Sequence, residues 1–114
     1  MKTTQVTLGN LIEVTSVLGK KIRTTQEYWN HITTKKHSEL EGKLDETLEA
    51  LNRPREVYRQ DEKSDIHLYY RKLNGSWVCV VARHLNGDGF IVTAYLTTKS
   101  RRKGILLWSE IINK

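Results

Sequence analysis

The chain has one cysteine (Cys79), one proline (Pro54) and one phenylalanine (Phe90) in 114 residues. A lone cysteine excludes an intrachain disulfide and a cysteine-rich zinc site. Cys79 lies between Val78 and Val80 and reads as a small buried hydrophobe rather than a nucleophile, which suits a reducing cytoplasm. No apolar run approaches the roughly 20 residues of a membrane helix, so no membrane partner is expected. The opening residues carry no apolar stretch of the secretory kind. There is no P-loop and no dinucleotide-binding glycine pattern, because Gly75, Gly87 and Gly89 fall where turns are expected. The histidines at 31, 37, 67 and 84 have no metal-ligand spacing. No Ser-His-Asp signature is present, and no cofactor is expected.

Acid is also scarce. Thirteen Asp and Glu face nineteen Lys and Arg, giving a net charge of +6 and a pI near 9.6. Such an excess favours a polyanionic partner, either nucleic acid or an acidic protein. Base gathers at Lys35-Lys36-His37 and again over residues 99–103, and acid over residues 39–49 and 61–65.

A chain of this length holds one domain. Its central stretch predicts three strands over residues 66–73, 77–85 and 90–97, broken by Asn74-Gly75 and by Asn86-Gly87-Asp88-Gly89. Asn-Gly between β-rich runs is a hairpin signal, since a tight turn favours φ > 0 there. Alternation places Val92, Ala94 and Leu96 on a core side, with Ile91, Thr93, Tyr95 and Thr97 opposite. Before the meander, residues 11–14 and 21–23 predict a strand pair, and Thr24 with Glu27 a capping box opening a helix over residues 25–36. Leu40, Leu44, Leu48 and Leu51 set the apolar stripe of a second helix, which ends before Pro54. Residues 55–59 predict a short strand, and residues 105–108 an edge strand or the start of a terminal helix. The expected organisation is an N-terminal strand pair or arm (1–24), a helical cover (25–52) and an antiparallel sheet (55–108). The fold class is α+β, with two N-terminal helices on one face of a four- to five-stranded antiparallel sheet.

The polar face is where chemistry is expected. His31 flanks the stripe of Tyr28, Trp29 and Ile32, and histidine exchanges protons near neutrality. Arg71 and Arg83 suit bidentate contacts to phosphate. Thr93, Tyr95 and Thr97 offer hydroxyls on one strand face. Those parts suffice for metal-independent RNA cleavage: a base for the 2′-OH, cations for the phosphorus oxygens and an acid for the leaving 5′-oxygen. Lys99, Arg101, Arg102 and Lys103 follow that strand directly and are candidate RNA-binding residues with Arg83.

Five pieces in order, Trp29-Asn30-His31-Ile32, His37-Ser38-Glu39-Leu40, Asn52-Arg53-Pro54, Leu68-Tyr69-Tyr70-Arg71 and residues 90–95, give a pattern over most of the chain. It resembles the phage and bacterial barnase–EndoU–colicin–RelE-like nucleases. The resemblance implies N-terminal helices on a four-stranded antiparallel sheet, toxin-like endoribonuclease activity, and an acidic antitoxin or immunity protein as partner. It implies His31, Arg71, Thr93, Tyr95 and Thr97 as site residues. Ser38 departs from the proline common in the second piece and leaves His37 either a helix cap or a site residue. The alternative is a non-catalytic module of the same fold that binds nucleic acid or protein, as topoisomerase-poisoning relatives do.

Overall fold

The computed structural model describes residues 5–8, 11–98 and 103–111. The strands are β1 (Gln5–Leu8), β2 (Leu11–Thr15), β3 (Lys21–Thr25), β4 (Glu56–Arg59), β5 (Ile66–Leu73), β6 (Ser76–His84), β7 (Asp88–Thr97) and β8 (Ile105–Ser109). The helices are α1 (Gln26–His31) and α2 (Leu44–Asn52), with a π-helical turn Ile32–Lys36 and a 3-10 turn Ser38–Leu40 between them. All eight strands join one sheet in the order β1-β2-β3-β7-β6-β5-β4-β8. Neighbours pair antiparallel except β3 and β7, which run parallel over Lys21–Arg23 and Asp88–Phe90.

This overturns the expected four- to five-stranded antiparallel sheet under two N-terminal helices. The expected N-terminal strand pair is present as β2 and β3, but it joins the main sheet, with Ile12, Val14 and Ile22 buried in the core with α2 and the meander. Alternation had fixed which residues of β2 and β3 face inward, but it carries no information on which strand they pair with. The β3–β7 partnership joins segments more than sixty residues apart, and it makes the sheet mixed.

The helical region departs from expectation for local reasons. Thr25, not Thr24, caps α1, its hydroxyl accepting from the Tyr28 N–H at 3.0 Å. After His31 the Thr33 and Thr34 hydroxyls donate to carbonyls of Trp29 and Asn30. Such back-bonding competes with the regular ladder, and here the helix widens until the His37 N–H reaches the Ile32 carbonyl. The second helix loses its expected first turn because Gly42 takes φ +78, a conformation glycine adopts without strain.

The meander keeps its expected strands, with Asn74 alone of its turn pair at positive φ. A bulge between Val81 and Ala82 changes the register on β7. Val92 becomes the extra residue, so Ile91 and Ala94 both face the helices and are buried. The sequence pattern had placed Val92 inside and Ile91 outside. One extra residue moves every side chain before it to the other face.

Both faces of the sheet bury something. Toward the helices lies the main core, including Trp29, Ile32, Leu40, Leu48, Leu51, Val57, Tyr69, Val78 and Val80. On the other face a smaller cluster buries Tyr58, Tyr70 and Cys79, flanked by Leu68, Trp77, Val81 and Tyr95. β3 leaves β7 after Phe90, so among the described residues the rest of that edge of β7 has no strand partner. The α1-to-α2 segment satisfies it instead: the Tyr28 hydroxyl donates to the Val92 carbonyl at 2.6 Å, and the Leu96 N–H donates to the Glu39 carboxylate at 3.3 Å. That docking decides which histidine stands near the polar face.

Candidate functional site

The residues expected to act together do not gather at one point. Tyr69 and Arg71 share a face of β5, and Tyr69 pairs with Val80, which pairs with Ala94. Arg71 therefore projects on the helix side, opposite Tyr95. There it donates to the Arg53 carbonyl at 2.7 Å and pairs with Glu49 at 3.6 Å, holding the C-terminal end of α2. His31 is exposed in the last turn of α1 and lies 6.1 Å from the Tyr28 ring.

Thr93, Tyr95, Thr97 and Arg83 do share a face, the one turned away from the helices, because they lie opposite Val81, Cys79, Trp77 and Phe90 in register. Arg83 is engaged by the Asp65 carboxylate at 2.6 Å. The Thr93 hydroxyl is buried without a hydrogen-bond partner. Of the basic segment, Lys99, Arg101 and Arg102 lie outside the described residues, and Lys103 reaches the face.

A cavity of about 280 Å³ opens on that face, lined by Gln60, Leu68, Tyr70, Tyr95 and Lys103. Its floor is rigid. Tyr70 stands edge-on to Tyr58 and to Trp77, with ring centroids at 6.0 and 6.4 Å, a favoured aromatic geometry. The Lys72 ammonium lies 5.1 Å from the Trp77 ring centre. Burial pushes the Cys79 thiol up to about 11, against the pull of hydrogen bonds from Tyr95 and Tyr70. Cys79 is thus a protonated anchor for two tyrosines and not a nucleophile. At the rim, His37 brings its ring centroid to 5.7 Å from that of Tyr95. Its Nδ1 lies 3.4 Å from the Glu39 carboxylate, the same carboxylate that accepts from the Leu96 N–H. A carboxylate fixed to the strand edge thereby orients an imidazole beside an aromatic cavity with a cation on its lining.

A second polar group sits at the far end of the strands, on the helix side. The His67 and His84 rings stack at 3.6 Å with planes 5° apart. His67 Nδ1 lies 3.0 Å from the Asp65 carbonyl; a carbonyl only accepts, so this nitrogen carries the proton. His84 Nε2 lies 2.8 Å from the Tyr69 hydroxyl. Ser16 Oγ accepts from the N–H groups of Leu18 and Lys20 and bonds Tyr69 with its own hydroxyl. Ser16, Tyr69 and His84 thus form one hydrogen-bonded set anchored on the backbone. Burial pushes the Tyr69 phenol far up and holds both imidazoles down, His84 to about 4, with the His67 ring and Lys20 adding to the effect on His84. Perturbed groups mark functional sites as well as structural networks, but here Tyr69 is fully buried and His67 is 7% exposed. Both histidines are held neutral in a satisfied network.

The sequence leaves His37 open between a cap and a site residue, and gives no role to Tyr70 or to the His67–His84 stack. The stack was legible: with Leu73 paired to Ser76 across the turn, counting outward puts His67 opposite Ala82 and His84 one pair further on the same face. The place of His37 was not, since it depends on the π turn and on Glu39 reaching β7.

Among the described residues no three His, Cys, Asp or Glu side chains group as a ligand set for a metal, and no helix is long and apolar enough to cross a membrane. No family model, no curated protein and no solved structure matches the chain.

Proposed function

We propose that this protein binds single-stranded RNA on the face turned away from its helices and cleaves it there without a metal. The observation that carries the reading is the position of Tyr95. It lines the cavity with Tyr70 and Lys103 and also stands beside the His37–Glu39 pair. An aromatic pocket suits a flipped-out base, because stacking on tyrosine is open to any base. The net charge of +6 suits the phosphate backbone. In this scheme Tyr95 stacks on a base at the mouth of the cavity and Lys103 neutralises its phosphate. His37, steadied by Glu39, takes the proton of the 2′-OH as that oxygen attacks phosphorus. The P–O5′ bond breaks, and His37 returns the proton to the leaving 5′-oxygen, giving a 2′,3′-cyclic phosphate and a 5′-hydroxyl. In this scheme His37, and not His31, moves the proton.

The experiment is cleavage and binding of labelled single-stranded RNA by the purified protein, with EDTA present. His37→Ala is expected to cut the rate by about 10²–10⁴-fold, the usual worth of general acid–base catalysis. Tyr95→Ala should weaken binding by about 1–3 kcal/mol, the worth of one stacked base. His31→Ala should leave the rate unchanged. RNA bound but never cut would reduce the proposal to the binding module, and no binding at all would sink it.

A further inference from the structure

Thr33 and Thr34 close a run of three β-branched residues, Ile32-Thr33-Thr34, shortly before His37. Such a run continues an α-helix poorly, because each side chain loses rotamer freedom against the preceding turn. The Thr34 hydroxyl donates to the Asn30 carbonyl at 2.7 Å. The Thr33 hydroxyl is shared between the Trp29 and Asn30 carbonyls, at 3.2 Å each. In a regular helix those two carbonyls would take the N–H groups of Thr33 and Thr34, four residues on. With hydroxyls on them the ladder slips, and the His37 N–H reaches back five residues to the Ile32 carbonyl at 2.7 Å. Single π turns of this kind are rare and gather at functional sites.

The slip decides where the imidazole goes. An α-helix turns about 100° per residue, so a ladder restored to the α pattern would carry His37 about that far round the axis. On either side the backbone is pinned. Ile32 is buried upstream, and downstream the His37 carbonyl accepts from the N–H of Leu40, which is fully buried. Between those two core anchors, the width of the turn sets the direction in which the ring leaves the chain. It leaves toward Tyr95, with ring centroids 5.7 Å apart and Nδ1 3.4 Å from the Glu39 carboxylate.

We infer that the Thr33 and Thr34 hydroxyls are positioning groups for His37, holding the π turn that sets the imidazole against Tyr95. The inference rests on the RNA-cleavage reading for its consequence and deepens it. Both threonines act through His37, so they govern the rate of proton transfer and leave the stacking of a base on Tyr95 untouched. One hydrogen bond of this kind is worth about 2- to 12-fold in the balance between the π and α turns. The two hydroxyls together are worth about 5- to 150-fold.

The test uses the double variant Thr33→Val with Thr34→Val, which keeps both branched shapes and removes only the hydroxyls. Its partner is Thr33→Ser with Thr34→Ser, which keeps the hydroxyls. RNA cleavage gives kcat and KM, urea unfolding gives stability, and the nuclear Overhauser contact between the His37 and Tyr95 rings reports placement without RNA. The valine variant is expected to lose about 5- to 150-fold in kcat with KM unchanged and to weaken the ring contact. The serine variant should keep both. Threonines that merely stabilise the helix would shift the urea midpoint and leave kcat and the ring contact alone, which overturns the inference. So does a fall in kcat with the ring contact intact, since His37 would then not be what moved. Should the wild type cut no RNA, the cleavage reading fails and the ring contact decides by itself: its loss in the valine variant supports the placement, and its persistence overturns it.

Discussion

Tyr69 and Tyr70 are neighbours on β5, and the sheet uses them in opposite ways. Tyr69 faces the helices, where its hydroxyl bonds His84 and its ring joins the main core. Tyr70 faces away, where its ring forms the wall of a cavity and stands edge-on to two aromatic neighbours. Both are almost fully buried. What separates them is what each side holds: a hydrogen-bonded set fills the Tyr69 side, and a cavity of about 280 Å³ is left beside Tyr70. Perturbed titration alone would have pointed to the Tyr69 side. Geometry points to the other, because catalysis and binding need room for a second molecule.

The sharpest way to break this division is to damage the helix side and ask what happens to the other. Leu48 is 1% exposed beneath α2. Leu48→Ala should cost about 2–5 kcal/mol, as buried leucines do, and lower the urea midpoint accordingly. RNA affinity of the protein that remains folded should not change. An unshifted midpoint would make α2 peripheral, and a parallel loss of affinity would mean the two faces are not separate.

A smaller effect comes from the stacked histidines. His84 is held near 4, below the ordinary 6.5, first by burial and then by His67 and Lys20, with Asp65 opposing. His67 is lowered as well, by burial and by Arg59 and Lys20, against its bond to the Asp65 carbonyl. Between those pH values the unfolded chain binds more protons than the folded one, so stability rises with pH across the window. It is full above about pH 6.5 and falls as the pH drops toward about 4. With His84 partly exposed, the loss is discounted to about 1–2 kcal/mol. Urea midpoints from pH 7.5 to 4.5 measure it. His84→Gln, which keeps an acceptor for Tyr69, should flatten the profile; an unchanged slope would remove the stack from the acid response.

How far the sequence could be read follows the same division. Period-two alternation and the Asn74-Gly75 turn were enough for the meander, and the leucine stripe was enough for α2. What escaped was set by groups distant in the chain. β3 pairs with β7, and the hairpin's Ile22 packs in the core beneath the meander, a long-range contact that no local pattern encodes. Val92 turned outward because of a bulge whose partner residues lie on another strand. Arg71 and Tyr95 were each rightly seen as polar strand positions, but their relation depended on counting register through β6, and that count puts them on opposite faces. Tyr95 and Lys103 do meet, and the signal for that was adjacency to the basic segment.

The smallest effect tests the open side by itself. Lys103 lines the Tyr95 cavity, whereas Lys72 lies over the Trp77 ring on the same face. A cation that meets phosphate releases counterions when RNA binds, and each such contact contributes roughly 0.7 to the slope of log affinity against log salt on a single strand. Lys103→Ser should therefore lower that slope by about 0.7, with stability unchanged since the side chain is exposed. Lys72→Ser should lower it less, because its ammonium is already engaged by an aromatic ring. Fluorescence titrations at several salt concentrations give both slopes. Equal losses would mean that RNA covers the whole face rather than tracking the cavity; no loss from Lys103→Ser would move the backbone off this pocket and leave Tyr95 to bind its base without a charged neighbour.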